Sequence, residues 1–231
     1  MAAVALIVAA GRGERLGFGG PKALVTVAGR PMLEWSVETL RQVPAVEQIV
    51  IALPADRLDS APAGTLPVAG GAARSDSVRA ALLASTARGD PVIVHDAARP
   101  LAQADVFVRA LAELDRPGVD AVVAAAPVTD TIKQVAGDDP SADPPRVART
   151  LDRRGLWAVQ TPQVFRRSVL ERVLNDADGA HLAAATDDAW LVEQAGGSVA
   201  ILPVDAENFK ITTRLDLRLA ELILADRTGR G

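Results

Sequence analysis

A glycine-rich loop from Ala9 to Lys22 carries three basic side chains within eleven positions, and it directly follows an apolar run. Its cations are Arg12, Arg15 and Lys22. Glycines let backbone N–H groups approach an anion closely, and the end of a strand is a common place for a phosphate site. So much positive charge on one loop favours a triphosphate over a pyrophosphate. A flexible loop with surface arginines is the alternative interpretation.

Two other phosphate-binding patterns fit this loop less well. A dinucleotide fingerprint needs its glycines to lead straight into a helix and an acid at the end of the second strand. Here the loop runs on to Pro21, and the first acid after the second apolar run is Asp56, which comes too late. The Walker pattern fails because Lys22 is followed by Ala23 rather than Ser or Thr. A dinucleotide-dependent oxidoreductase and a non-catalytic nucleotide sensor remain the competing hypotheses.

Lysine is rare in this chain, since only three of the 25 basic residues are lysines. They are Lys22, Lys133 and Lys210. Lysine offers a compact charge on a flexible stem, which arginine cannot replace at every site. Lys22 and Lys210 are therefore candidates for chemistry, whereas Lys133 is assigned to the surface.

A second candidate group follows the third apolar run, at His95, Asp96 and Arg99. Ligands of α/β sheets bind beyond the carboxyl ends of the strands, which is where these residues fall. Asp96 could hold Mg²⁺ or a substrate hydroxyl, and the alternatives are a helix cap or a salt bridge with Arg99. His95 is expected to pack or to form a local hydrogen bond rather than to bind a metal.

The elements that must position these residues alternate between strand and helix. Near-continuous apolar runs indicate strands buried on both faces, as in a parallel sheet covered by helices. The predicted strands are Val4–Ala9, Gln48–Leu53, Pro91–His95, Asp120–Ala126 and Ser198–Val204. The predicted helices are Pro31–Gln42, Ser75–Ala87, Ala104–Leu114, Arg167–Leu174, Asp187–Gln194 and Arg214–Ala225. The pattern predicts a three-layer α/β fold in a single domain, residues 1–231.

Residues 127–155 interrupt this alternation. Asp and Pro residues break the middle of the segment, between the extended pieces Val128–Val135 and Val147–Leu151. We predict a two-stranded arm with a disordered tip. Because an isolated hairpin is marginal in water, the arm is expected to pack on another subunit, with a surface insertion as the alternative.

Composition excludes several classes of protein. The net charge is −4 and the pI about 5.3, which argues against a nucleic-acid binder. There is no cysteine for a disulfide, a thiolate zinc site or a nucleophile. The first apolar run is too short to span a bilayer and lacks the basic start of a signal peptide, so we expect no membrane association and a cytoplasmic location.

The motifs along the chain resemble those of the nucleotidyltransferases, and most closely the 2-C-methyl-D-erythritol 4-phosphate cytidylyltransferase family of the non-mevalonate isoprenoid pathway. A related ribitol 5-phosphate cytidylyltransferase family usually has Ser-Val where this chain has Ala97-Ala98. Ala23 and Ala72 depart from residues that are frequent in the resembled family. The matching pieces are Ala9–Gly17, Pro21-Lys22, Gly70-Gly71, Arg74–Val78, His95–Pro100, Asp130–Lys133, Arg153–Trp157, Gln160–Gln163, Thr186–Ala189 and Asn208–Thr212.

The resemblance implies a Rossmann-like nucleotidyltransferase fold with a mostly parallel sheet and a protruding β-arm. It also implies cytidylyl transfer from CTP to methylerythritol phosphate with release of pyrophosphate, the alternative acceptor being ribitol 5-phosphate or another polyol phosphate. The enzyme would use Mg²⁺ and form a homodimer through the arm. The attacking phosphate is already an anion, so catalysis should rest on cations and positioning rather than on a general base.

The same resemblance implies roles for individual residues. Those expected to act in catalysis are Arg15, Lys22, Arg153 and Lys210. Those expected to bind CTP are Ala9, Ala10, Gly11, Gly13, Gly71, Arg74, Ser77, Asp96 and Ala97. Those expected to bind the second substrate are Asp96, Arg99, Thr131, Arg153 and Lys210, with Thr131 and Arg153 acting on the partner subunit's site. Asp96 is the candidate metal ligand, with phosphate and water oxygens supplying most of the other ligands.

Overall fold

A seven-stranded, mostly parallel sheet forms the centre of the protein, as seen in a computed structural model that describes residues 2–11, 13, 17, 20–86, 89–136 and 145–228. The strands are β1 (Ala3–Val8), β2 (Thr26–Val27), β3 (Arg30–Pro31), β4 (Val46–Leu53), β5 (Leu66–Ala69), β6 (Val92–Asp96), β7 (Ala121–Pro127), β8 (Lys133–Val135), β9 (Val147–Thr150), β10 (Trp157–Phe165) and β11 (Val199–Pro203). The central sheet has the order β11-β7-β10-β6-β1-β4-β5. β2 pairs with β3, and β8 pairs with β9, in two separate ribbons.

Helices cover both faces of the sheet. They are α1 (Met32–Arg41), α2 (Arg74–Ala84), α3 (Ala104–Leu114), α4 (Arg167–Asp176), α5 (Gly179–Ala184), α6 (Asp188–Gln194) and α7 (Arg214–Thr228). One apolar core packs the sheet against α1 and α3, and a second packs its other face against α2, α4, α5 and α6. A smaller third cluster joins α7 to β2 and to the start of α1. This confirms the predicted α/β class with helices on both sides of the sheet.

Burial on both faces explains the apolar runs. Every residue of β1 from Ala3 to Ile7 is fully buried, and β6 is buried throughout. Such strands carry no polar residue on either face until they end, so polar groups concentrate at the carboxyl edge. Asp96 is the last residue of β6 and lies at that edge.

One strand runs against the others, and the sequence-based prediction missed it. β10 is antiparallel to both β6 and β7, between which it lies. Its polar centre, Gln160–Gln163, contains a proline and lacks the apolar pattern of a strand. A register irregularity between Val159 and Gln163 accommodates this stretch. Because β10 is reversed, its first residues lie at the same edge as Asp96.

A second strand, β5, was also missed. It is only four residues long, includes Pro67 and pairs with β4 at the edge of the sheet. An edge strand tolerates a proline because one side of its backbone forms no ladder. The two-residue strands β2 and β3 and the short helix α5 were not predicted either. The remaining differences concern boundaries: α2 begins at Arg74 and ends at Ala84, and Pro31 caps α1 instead of occupying its first turn.

The arm leaves the sheet at its carboxyl edge. It begins after β7, where Pro127 pairs with Trp157 at the start of β10. Its strands β8 and β9 pair antiparallel, and every residue of β9 is exposed. The predicted two-stranded arm is therefore present, with strands shorter than expected. The predicted disordered tip lies in residues 137–144, outside the described residues.

Candidate active site

The glycine-rich loop returns on itself to bring Lys22 beside β1. The backbone N–H of Lys22 donates to the carbonyl of Gly11 at 3.1 Å, which closes the loop. Gly13 has a φ of +69°, and a Cβ there would meet the Cβ of Lys22 at 2.9 Å. Glycine is therefore required at this position both by backbone conformation and by space. The Gly11 hydrogen bond and the close packing of Gly13 fix the backbone of Lys22, which lines a cavity.

A double glycine, Gly70-Gly71, follows β5, and Gly71 lines the same cavity. A Cβ on Gly70 would overlap Ala10, and a Cβ on Gly71 would overlap the side chain of Asp76. The hydroxyl of Ser77 accepts a hydrogen bond from the Gly71 N–H at 3.1 Å and donates to the carbonyl of Ala73. Ser77 thus shapes this loop, and its predicted contact with the base would use its remaining lone pair.

Four charged side chains form a cluster at the end of β6. Asp96 accepts from Arg74 Nε at 3.1 Å on one oxygen and from Lys210 Nζ at 2.7 Å on the other. Arg74 also pairs through a terminal nitrogen with Asp188 at the start of α6. The expected alternative for Asp96, a salt bridge with Arg99, is not what forms. We call Asp96, Arg74, Lys210 and Asp188 the ion cluster.

Burial and charge act in opposite directions within the ion cluster. Burial alone would raise the pKa of Asp96, but Arg74 and Lys210 outweigh it, and the pKa lies well below the usual carboxyl range. Burial likewise disfavours the charge of Arg74, and Asp188 and Asp96 together raise its pKa. Both groups are therefore ionised at any working pH, and the cluster presents fixed charges.

Lys210 reaches Asp96 because its loop is fastened to neighbouring strands. The side-chain amide of Asn208 donates to the carbonyl of Thr161 at 2.8 Å. Arg99 donates to the carbonyl of Asn208 at 2.8 Å, and the N–H of Ile211 donates to the carbonyl of Ala98. Burial lowers the pKa of Arg99. Part of the Arg99 guanidinium is thus committed to holding this loop.

His95 is a packing residue, in agreement with the sequence-based expectation. Its ring meets Phe107 edge-on with centroids 5.1 Å apart, and it has no exposed surface. Thr161 Oγ1 accepts from the N–H of Asp96, so its own proton is available to His95 Nδ1 at 3.0 Å. Burial lowers the pKa of His95 to about 4. The ring is therefore neutral and fixed at physiological pH.

Two cavities meet at the ion cluster. The first has a volume of about 230 Å³ and is lined by residues of the two glycine loops and by Ala97 and Ala98. The second, of about 290 Å³, is lined mainly by polar side chains, among them Gln160, Gln163 and Thr186. Arg74, Asp96 and Lys210 line both cavities. A group bound in one cavity would therefore face a group bound in the other across these charges.

The comparisons with known proteins agree over nearly the whole chain. Residues 3–226 match the family model described as IspD: 2-C-methyl-D-erythritol 4-phosphate cytidylyltransferase. This chain belongs to that family.

Individual relatives support the assignment. The chain is 47% identical to a curated protein of that name from Frankia casuarinae, over 96% of this chain and 80% of the relative. It is 45% identical to one from Nocardia farcinica, over 98% and 95%. Among solved structures, the cytidylyltransferase from Thermus thermophilus is 34% identical with a TM-score of 0.79, covering 97% of this chain and 100% of that one.

Membership of the IspD family confirms three sequence-based predictions: the family itself, the nucleotidyltransferase fold and the enzyme class. It also favours methylerythritol phosphate over ribitol 5-phosphate as the acceptor named by the relatives. Within the described part of the chain, no helix combines the length and apolar character that a bilayer span requires.

The structure brings together most of the predicted site residues. The roles of these residues stay predictions. Those that line the first cavity are Ala9, Ala10, Gly11, Lys22, Gly71, Arg74, Ser77, Asp96, Ala97 and Lys210. Gly13 packs closely against the backbone and Cβ of Lys22. Arg99 lines the second cavity. Arg15, like Arg12, lies outside the described residues.

Two predicted substrate-binding residues lie on the arm and line neither cavity. Thr131 is exposed just before β8, and Arg153 is exposed just before β10. The guanidinium of Arg153 donates to the carbonyl of Thr129, which holds it along its own arm. Within one chain these residues are separate from the ion cluster.

The sequence alone assigned no site role to Thr161 or Asn208, and it left Asp187-Asp188 open between helix-start charges and a part of the site. Asp187 and Asp188 look like ordinary helix-start acids, and Asp187 does cap α6 by accepting from the N–H of Trp190. Asp188 has the other role of pairing with Arg74, and it is fully buried. One signal could have identified Asp188. It is the second of two acids at the start of a helix, and the residues that follow it in that helix are largely buried.

No group of three or more His, Cys, Asp or Glu residues within the described ranges could hold a metal ion. Both oxygens of Asp96 already accept hydrogen bonds from cations. This donor set does not fit a Mg²⁺ ion bound directly by the protein. It is compatible with an ion carried on a triphosphate.

Proposed function

We propose that this chain transfers the cytidylyl group of CTP to 2-C-methyl-D-erythritol 4-phosphate, releasing pyrophosphate. Membership of the IspD family supports the substrates. The observation that carries the proposal for this chain is the position of Arg74, Asp96 and Lys210 between two adjoining cavities. Two anions must react here, and the ion cluster lies where they would meet.

The nucleotide fits the first cavity. Its walls are mostly backbone and alanine side chains from the glycine loops, which suits a flat base and a ribose. Lys22 lines the same cavity and offers an ammonium group to the phosphates. Arg15 is proposed as a further phosphate-binding cation of this loop, on the resemblance alone.

The polyol phosphate fits the second cavity. Amide and hydroxyl groups of Gln160, Gln163 and Thr186 line it, and these can pair with the hydroxyls of a polyol. Arg99 and Lys210 also line it and would supply positive charge to the phosphate. The phosphate would then lie next to the α-phosphorus of a nucleotide in the first cavity.

The reaction needs positioning and charge stabilisation more than proton transfer. A phosphate oxygen of the acceptor forms a bond to the α-phosphorus, and the bond from that phosphorus to the bridging oxygen of pyrophosphate breaks. Lys22 and Lys210 would stabilise the negative charge that develops on the α-phosphate and the leaving group. Asp96 orients Lys210 and Arg74 for this task.

Magnesium is proposed to enter as part of the nucleotide substrate. Phosphate and water oxygens would be its ligands, since Mg²⁺ keeps several waters and binds readily to phosphates. Asp96 is not assigned to it as a direct ligand. When bound, the ion neutralises part of the charge on the triphosphate.

A homodimer is proposed to complete the site. The arm leaves the sheet at the edge that carries the ion cluster, and β9 is fully exposed in a single chain. Thr131 and Arg153 would act on the acceptor phosphate of the partner subunit's site. A cytoplasmic location is proposed because CTP is supplied there.

The test is a pyrophosphate-release assay with CTP and 2-C-methyl-D-erythritol 4-phosphate, with Mg²⁺ present. We expect turnover with this pair and much less with UTP, ATP or GTP. Ribitol 5-phosphate serves as the control acceptor. Turnover with ribitol 5-phosphate alone would reassign the acceptor, and CTP binding without any product would favour a nucleotide sensor.

A further inference from the structure

Asp188 is a buried carboxylate that lines neither cavity. It is the first residue of α6 and has no exposed surface. One of its oxygens pairs with Arg74, and the other has no hydrogen-bond partner. Burying a charge is costly unless it is paired and hydrogen-bonded. Asp188 is paired through only one of its two oxygens, so its presence here calls for an explanation.

The contacts of Asp188 connect it, through Arg74 and Asp96, to Lys210, which lines both cavities. Asp188 pairs with a terminal nitrogen of Arg74, and the Nε of Arg74 donates to Asp96 Oδ1 at 3.1 Å. The other oxygen of Asp96 accepts from Lys210 at 2.7 Å. The guanidinium is thus divided between two carboxylates, which leaves Asp96 Oδ2 to the lysine.

We infer that Asp188 is a positioning residue, which holds Arg74 so that Asp96 keeps one oxygen for Lys210. The inference rests on the function proposed above. A guanidinium without its second carboxylate tends to form two parallel hydrogen bonds to the carboxylate that remains. On Asp96 that arrangement would compete directly with the ammonium group of Lys210. Asp188 therefore acts on the reaction through Arg74 and touches no substrate.

The electrostatics of the site agree with this role. Burial raises the pKa of Asp188, and the neighbouring Asp96 and Asp187 add to that rise, while Arg74 opposes it. Arg74 therefore stabilises the charged form of Asp188 against its surroundings. The two acids and the two cations of the ion cluster balance, so removing one acid changes how the remaining three share their contacts.

The test is a double-mutant cycle on kcat with the homodimeric enzyme, CTP and 2-C-methyl-D-erythritol 4-phosphate. Asp188→Asn keeps the size of the side chain and removes its charge. We expect kcat to fall about tenfold in the otherwise native enzyme and by less than about twofold in an Arg74→Met background. Asp105→Asn, the same change in the exposed first turn of α3, is the matched control and should leave kcat unchanged.

Binding of CTP separates positioning from misfolding. Calorimetry should give the same number of CTP sites for Asp188→Asn as for the native enzyme, with Kd changed by less than about threefold, because the glycine loops are intact. A folding defect would lower the number of sites. Thermal melting identifies an Arg74→Met protein that fails to fold, and Arg74→Gln then replaces it in the cycle.

Three results would overturn the inference while leaving the proposed function in place. They are an unchanged kcat in Asp188→Asn, an equal loss of kcat in both backgrounds, and a loss explained by fewer CTP sites. A native protein that binds CTP but releases no pyrophosphate would instead overturn the proposed function, and the inference with it.

Discussion

The ion cluster and the arm supply different parts of the proposed site, and they are built in opposite ways. Asp96 and Asp188 are buried, and hydrogen bonds to β10 and from the loop after β6 hold the Lys210 loop so that Lys210 contacts Asp96. The arm residues Thr131 and Arg153 are exposed, and the guanidinium of Arg153 bonds to a carbonyl of its own arm. One region is organised by the folding of a single chain. In the proposed homodimer, the other is positioned by the surface of a second chain.

This difference follows from where each region lies in the sheet. The ion cluster sits at the end of β6, in the middle of the sheet, where strands and helices enclose it on several sides. The arm has only its own two strands, and a two-stranded ribbon buries little apolar surface. Preorganised charge is what stabilises a phosphoryl transition state, so we expect the larger kinetic effects in the ion cluster.

The largest effect is expected from Lys210→Ala. The substitution removes the ammonium group that lies between the two cavities, and kcat should fall by about a hundredfold to a thousandfold. Steady-state pyrophosphate release measures the loss. Lys133→Ala, which removes a lysine bound to Thr150 on the arm, is the matched control. An equal loss of kcat in the two variants would contradict the expectation that the ion cluster contributes more to catalysis than the arm.

A somewhat smaller effect is expected from Arg153→Ala, at about a hundredfold in kcat/KM for the acceptor, since it removes one donor to the attacking phosphate. The decisive measurement mixes Arg153→Ala subunits with Lys22→Ala subunits. If the arm acts on the partner's site, each mixed dimer has one intact site, and about a quarter of native activity returns. An arm that acts on its own chain leaves no intact site, and mixing would restore nothing.

Gly71→Ala should have a moderate effect that is confined to the nucleotide. A Cβ at this position overlaps the side chain of Asp76, so the loop must move to admit it. We expect KM for CTP to rise about tenfold with little change in KM for the acceptor. Gly179→Ala, where a Cβ meets open space, is the control. A rise in both KM values would mean that the two cavities are not separate binding regions.

The smallest effect on activity at neutral pH is expected from His95→Asn, which keeps an acceptor for Thr161 and removes the titrating ring. The pKa of His95 is lowered from 6.5 to about 4 in the fold, so between these values the unfolded chain binds a proton that the folded chain does not. Acidification across this window therefore favours unfolding, by about 3 kcal/mol in the native protein. Denaturant titrations at pH 7 and pH 4 should show that this part of the pH dependence is lost in His95→Asn. An unchanged pH dependence would mean that His95 is not buried as a neutral ring.

The two regions also differ in how far sequence could predict them. The glycine loop, Lys22 and Asp96 are adjacent to apolar strands, and their local pattern is enough to predict a phosphate site at a strand end. Asp188 is separated from Arg74 by more than a hundred residues, and only the tertiary fold joins them. β10 was missed for a related reason: the residues on either side of its polar centre become a strand by pairing with β6 and β7, and the tertiary fold alone brings those strands together.

The arm illustrates the opposite limit. Breaker residues and extended flanks were sufficient to predict two strands, and these strands are present. Their proposed function depends on a second chain, which local sequence patterns do not describe. The resemblance to a known family supplied the roles of Thr131 and Arg153, and neither could be obtained from spacing or burial.

The most direct test of the central claim is a crystal structure of the protein with CTP. We predict that the base lies between the glycine loops at Ala10 and Gly71, and that the phosphates lie within hydrogen-bond distance, about 3 Å, of the Lys22 and Lys210 ammonium groups. A nucleotide bound elsewhere, with both lysines directed into solvent, would contradict it.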